Sequence, residues 1–127
     1  MIHEPSDIIS DGDLTIGVGV NIRPFVSIIC KHKITIGDDT QIGPGVRIVD
    51  FDHDMGENIA NIRYVGNSEE VNIGPFCWIG ANAVILKGVK LGYGCVVGAG
   101  TVVLKGDYLP GSIIVGNPGE VIKRRSI

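Results

Sequence analysis

IGPFCWIGANAVILKGVK (73–90) runs directly into LGYGCVVGAGTVVLKGDY (91–108). Set 18 residues apart, Gly74/Gly92, Cys77/Cys95, Gly80/Gly98, Ala81/Ala99, Val84/Val102, Leu86/Leu104, Lys87/Lys105 and Gly88/Gly106 coincide. Inside each copy a period of six keeps Ile73, Ile79, Ile85, Leu91, Val97 and Val103 aliphatic without exception. Six residues are too few for a helix–turn unit but suit one short strand and a corner. Three such units make a coil, and coils stack at the ~4.8 Å spacing of parallel strands. A hexad inside an 18-residue superperiod therefore predicts a β-solenoid. The first hexad position points inward. The second is often glycine (Gly74, Gly80, Gly92, Gly98), where a corner needs positive φ or no side chain. The fifth (Cys77, Ala83, Val89, Cys95, Thr101) is small enough to share a narrow interior.

The N-terminal half keeps the pattern less regularly. Ile16, Ile22 and Ile28 are in step, as are Ile36, Ile42 and Ile48, but Ile28 to Ile36 spans eight residues, so one corner holds about two extra. LTIG (14–17), ITIG (34–37) and VNIG (71–74) mark equivalent corners of successive coils. The period fails from 49 to 70, a polar and acidic stretch that reads as a loop thrown out of one coil. Long excursions from a rigid scaffold are where function concentrates. The expected layout is one domain: an N-terminal segment (1–13), coils over 14–108 interrupted by the loop, and a tail (109–127). About five to six turns are expected.

Bulk properties agree. Of 127 residues, 44% are hydrophobic but only 6% aromatic, which suits a thin prism of stacked aliphatic strands. No apolar run is long enough for a membrane span. The opening MIHEPSDIISDGD lacks the basic and apolar regions of a signal peptide, so a cytoplasmic location is expected. A net charge of −3 argues against general nucleic-acid binding. Cys30, Cys77 and Cys95 occupy interior-like positions and are expected to be buried, reduced thiols, with Cys77 and Cys95 stacked one coil apart. A small chain with open, flat faces is expected to form a homo-oligomer.

The repeat, the loop containing His53 and the tail GSIIVGNPGEVIKRR (111–125) together resemble the hexapeptide-repeat acyltransferases. The nearest likeness is to sugar O-acetyltransferases of the galactoside and maltose acetyltransferase type, carried by WIGANAVILKGV (78–89) and the GNP tail. The resemblance implies an all-β, left-handed parallel β-helix and a homotrimer with active sites between subunits. It also implies transfer of an acetyl group from acetyl-CoA to a hydroxyl of a sugar or polysaccharide precursor, with no metal.

A sugar hydroxyl is a poor nucleophile at neutral pH and needs a base, and an imidazole suits that work. The resemblance assigns the role to His53, in FDHDM. It assigns the cofactor to Trp78, in the cleft near the pantetheine arm or the acceptor, to Ala81 and Ala99 through backbone groups, to Lys105 and Lys123 near phosphate or adenine, and to Asn117 and Pro118 at the adenine end. Lys87 and Lys105 are expected to stack on one edge, a repulsive arrangement that invites an anion. Some family members carry serine where Ala81 stands; here a backbone N–H would have to hold the oxyanion. Asp52, Asp54, Asn58 and Arg63, with Asp50, Glu57 and Asn61, are candidate acceptor contacts. His32 and His3 read as an exposed corner and a terminus.

Three alternatives stand beside this reading. The first is N-acetylation of an amino sugar, free or nucleotide-linked. The second is a γ-type carbonic anhydrase, which the wide spacing of His3, His32 and His53 disfavours. The third is a structural or ice-binding solenoid, which the sparse threonine disfavours.

Overall fold

The structure, a computed structural model, describes residues 1–53 and 66–126. Three parallel sheets form the sides of a prism, and the chain visits them in turn. The first holds β1 (Asp7–Ser10), β4 (Ser27–Cys30), β7 (Arg47–Val49), β10 (Val84–Ile85) and β13 (Val102–Val103). The second holds β2 (Asp13–Ile16), β5 (Lys33–Ile36), β8 (Val71–Ile73), β11 (Val89–Leu91) and β14 (Gly106–Tyr108). The third holds β3 (Asn21–Ile22), β6 (Gln41–Ile42), β9 (Trp78–Ile79), β12 (Val96–Val97) and β15 (Ser112–Gly116), with β16 (Gly119–Arg124) added antiparallel at its edge. This is a β-helix of about five turns, consistent with left-handed winding.

The register follows the aliphatic ladders. Ile28, Ile48, Ile85 and Val103 stack in the first sheet, Ile36, Ile73 and Leu91 in the second, and Ile22, Ile42, Ile79, Val97 and Ile114 in the third; all are buried. Ile16 alone among the expected inward residues is only partly buried, because no coil stacks beyond it. The three phrases ending in Ile-Gly fall into one register, Leu14 with Ile34 and Ile34 with Val71. Gly80 marks a close approach: a Cβ there would lie 2.7 Å from the Ala99 nitrogen. Positive φ belongs two residues further on, at Asn82 (60°) and Gly100 (69°).

The coils run beyond the boundaries expected from the repeat. Residues 7–10 pair with 27–30, and β15 completes a last turn before the β15–β16 hairpin. These end coils lack an 18-residue copy of themselves, so the period could not mark them. The N-terminal coils are 20 residues long, Ile16 pairing with Ile36 and Ile22 with Ile42. The surplus sits at the Lys31–His32 corner between the first and second sheets.

Val20, Thr40, Cys77, Cys95 and Ser112 are all buried beside the corners between the second and third sheets. Thr40 Oγ1 donates to the Gly74 carbonyl (2.9 Å), Cys77 Sγ to Gly92 (3.3 Å), and Cys95 Sγ and Ser112 Oγ both to Leu109 (3.3 and 2.6 Å). Buried carbonyls need donors, and a hydroxyl or thiol at the fifth position supplies one. The three cysteines are buried and free. Its neighbour Cys95, and then burial, push the Cys77 thiol well above its ordinary range.

Candidate active site

The excursion leaves the solenoid after Val49, at the corner between the first and second sheets. Its departure strips the preceding coil's corner of strand partners above it. Asp50 fills the gap. It is fully buried, with Oδ1 accepting from the Lys31 N–H and Oδ2 from the His32 and Lys33 N–H groups, each at 2.8 Å. A carboxylate accepting three backbone donors is a strong, charge-assisted anchor. Asp50 is thus turned away from solvent and from any acceptor.

The two arms of the loop then zip together. Asp52 N–H donates to Asn67 O (3.1 Å), Glu69 N–H to Asp50 O (2.9 Å), and Phe51 bridges Ser68 antiparallel. Both arms are tied to the coils by ion pairs, Lys87 Nζ to Asp52 Oδ2 (2.9 Å) and Lys105 Nζ to Glu69 Oε2 (2.5 Å). The anion that the stacked lysines require is therefore supplied within the chain. Asp52, Phe51, Leu86, Lys87, Leu104 and Lys105 line a depression of about 300 Å³. His53 follows directly, exposed, its ring edge-on to Phe51 with centroids 6.3 Å apart. Asp54, Asn58 and Arg63, with Glu57 and Asn61, lie outside the described residues.

The expected cofactor residues gather elsewhere. Trp78 is 59% exposed on the outer face of the third sheet. Ala81 and Ala99 occupy successive corners between the third and first sheets. Asn117 and Pro118 form the β15–β16 turn near that corner, where Gly116 N–H donates to Thr101 Oγ1 (3.3 Å). Lys123 lies on β16 opposite Ile113. Of the cofactor set, only Lys105 shares the His53 corner. That corner is opposite the third sheet across the prism, so one chain does not bring His53 and Trp78 together.

A second depression, about 390 Å³, lies on the third sheet between Asn21, Arg23, Gln41, Gly43, Pro44 and Trp78. The sequence reading missed Asn21, Arg23 and Gln41. The available signal was Arg23 itself: it follows the inward Ile22 where equivalent positions carry Gly43, Gly80 and Gly98. Among the described residues no three His, Cys, Asp or Glu are grouped to hold a metal. No helix among them is long and apolar enough to cross a membrane.

Comparison with known proteins agrees with this architecture. Residues 70–105 match the family described as bacterial transferase hexapeptide (six repeats). Nodulation protein L of Rhizobium leguminosarum bv. viciae is 40% identical over 79 residues, 61% of this chain and 40% of that protein. The chain thus spans about two-fifths of the length of that curated relative. A hexapeptide-repeat acetyltransferase of Vibrio cholerae superposes with a TM-score of 0.80 at 26% identity, over 94% of this chain and 70% of the other. The same protein is known in complex with acetyl coenzyme A. A maltose O-acetyltransferase of Clostridium difficile 630 gives 0.72 at 28% identity, over 98% and 68%. Residues 70–105 thus carry the hexapeptide repeat of bacterial transferases, and the fold is similar to that of a hexapeptide-repeat acetyltransferase.

Proposed function

We propose that this protein is an acetyltransferase moving an acetyl group from acetyl-CoA to a hydroxyl of a saccharide, with His53 as the general base. The observation that carries this reading is the position of His53: beside a stem pinned by Asp50 and clamped by Lys87 and Lys105, on a scaffold similar to an acetyltransferase that binds acetyl-CoA. Imidazole nitrogen takes the acceptor proton as oxygen attacks the thioester carbonyl. The tetrahedral oxyanion collapses, expelling CoA thiolate, which leaves with the proton that the base has collected. A backbone N–H near Ala81 serves the oxyanion, since alanine offers no hydroxyl.

The separation of His53 from Trp78 supports a site completed by a neighbouring copy, in a homotrimer. The His53 corner of one protomer then faces the third sheet of the next. Ala81, Ala99, Asn117, Pro118 and Lys123 bind the cofactor, Trp78 lies where its pantetheine arm meets the acceptor, and Lys105, paired with Glu69, closes the opposite wall. Asp52, and Asp54, Asn58 and Arg63 of the excursion, contact the acceptor. The expected setting is the cytoplasm, where acetyl-CoA is available. An acceptor screen with acetyl-CoA, following free-thiol release beside light scattering, tests both parts. A saccharide-dependent thiol signal from a trimer supports the reading. A strict monomer, or release that no hydroxyl compound stimulates, overturns it.

A further inference from the structure

The depression on the third sheet has a composition that the donor does not explain. Asn21, Gln41 and Trp78 stand in one row across successive coils, as their strand register requires. The next row is Arg23, Gly43 and Gly80, so beyond the arginine the floor is bare backbone. An exposed indole beside a trough offers a flat apolar platform, and the faces of sugar rings pack on such platforms. Side-chain amides flank it, able to donate and accept with hydroxyls. The Asn21 amide is oriented by His3, whose Nε2 lies 3.0 Å from its Oδ1, leaving its NH₂ for a ligand.

Arg23 adds a charge. Its guanidinium has no hydrogen-bond or ion-pair partner among the described residues. By contrast Lys31, Lys33, Lys87 and Lys105 each meet a carboxylate. Its backbone is fixed in the ladder, N–H to Ile42 O at 3.0 Å, so the side chain springs from a rigid base at the trough. Among the described residues no carboxylate lines that depression. An uncommitted, rigidly based guanidinium beside an aromatic platform selects an anion on a ring.

We infer that the Asn21–Arg23–Gln41–Trp78 depression is an acceptor subsite for an anionic sugar, its ring on Trp78 and its carboxylate or phosphate on Arg23. The assignment rests on the saccharide reading above but concerns binding, which can be measured without turnover. Trp78 is the chain's single tryptophan, so its fluorescence reports this depression. Full-length protein is titrated with glucose, glucuronate and glucose 6-phosphate, then with CoA, in wild type and Arg23→Gln. Glucuronate or glucose 6-phosphate should perturb the emission at concentrations about tenfold below those needed for glucose, the range of one charge-assisted contact. The stronger of the two identifies the anion. Arg23→Gln should erase the advantage over glucose while leaving CoA binding within about twofold, and added salt should weaken the anionic sugars alone. Equal binding of glucose and both anions, an advantage that survives in Arg23→Gln, or a response to CoA only, would each overturn the assignment. If no acetyl transfer is found but the anionic preference stands, the transfer reading fails and the subsite does not.

Discussion

The coils over 71–108 and those over 7–49 use the same ladder and differ at one corner. In the later coils that corner is tight: Lys87 and Gly88, with φ of 78° at the glycine, turn the chain between the first and second sheets. In the earlier ones two more residues widen it, strands β4 and β5 lengthen to four residues each, and the next turn opens into the excursion. The wide corner leaves three N–H groups without a strand above them, and a buried carboxylate answers them. Where the repeat is perfect the backbone satisfies itself and side chains need only pack. Where it breaks, polar side chains must replace the lost ladder, and those side chains also anchor the arm that leads to His53.

The sharpest way to break this contrast is at the histidine. His53→Ala should lower kcat by roughly 10²–10⁴-fold, the range for a positioned general base, with little change in KM for acetyl-CoA. A mutant with near-normal kcat would move the role to another group.

Stability separates the two regions next. Ile79→Ala, in the regular ladder, should cost about 2–5 kcal/mol through lost burial and the cavity left behind. Asp50→Ala should cost about 3 kcal/mol by a different route, orphaning the part-buried N–H donors of Lys31, His32 and Lys33. Denaturant titrations at one protein concentration measure both. A loss under about 1 kcal/mol for Asp50→Ala would mean that water replaces the carboxylate, and that the corner needs no anchor.

Lys87→Ala breaks only a partly exposed ion pair and should barely change stability. Its effect belongs to positioning. We expect kcat to fall about threefold with KM for acetyl-CoA unchanged, because a freed stem misplaces the base rather than the cofactor. The conservative Lys87→Arg, which keeps the charge facing Asp52, should retain most of the activity. A change confined to KM for acetyl-CoA would instead put Lys87 on the cofactor.

The smallest effect concerns the thiols. Burial, and after it the Asp50 carboxylate, push the Cys30 thiol above its ordinary value of 9.0. Above that value the unfolded chain loses the proton first, so Cys30 lowers stability as pH rises through about 9 and has no such effect below it. Cys30→Ala should flatten the alkaline end of the stability curve. Cys95→Ser should be nearly silent, a hydroxyl replacing a thiol that already donates to Leu109.

Much of this was legible in the chain. The hexad placed Ile73, Ile79, Ile85, Leu91, Val97 and Val103 in the interior, the surplus of two marked the wide corner, and the loop limits of 49 and 70 match the end of β7 at Val49 and the start of β8 at Val71. Such features depend on neighbours along the sequence, and a repeat states them many times over. The resemblance proposed His53, and the break in the period gave that choice a place.

The partners of individual polar groups were decided in three dimensions. Asp50 read as one more loop acid, yet it caps a corner seventeen to nineteen residues earlier. Lys105 read as a phosphate ligand, and in the structure it meets Glu69, a carboxylate brought back by the far arm of the loop. Arg23 drew no notice, because its neighbours Gln41 and Trp78 arrive from later coils. Periodicity tells which side of a strand a residue occupies, since alternation is local. It does not tell which charge waits on the adjacent coil, because that depends on where the excursion leaves and rejoins the stack.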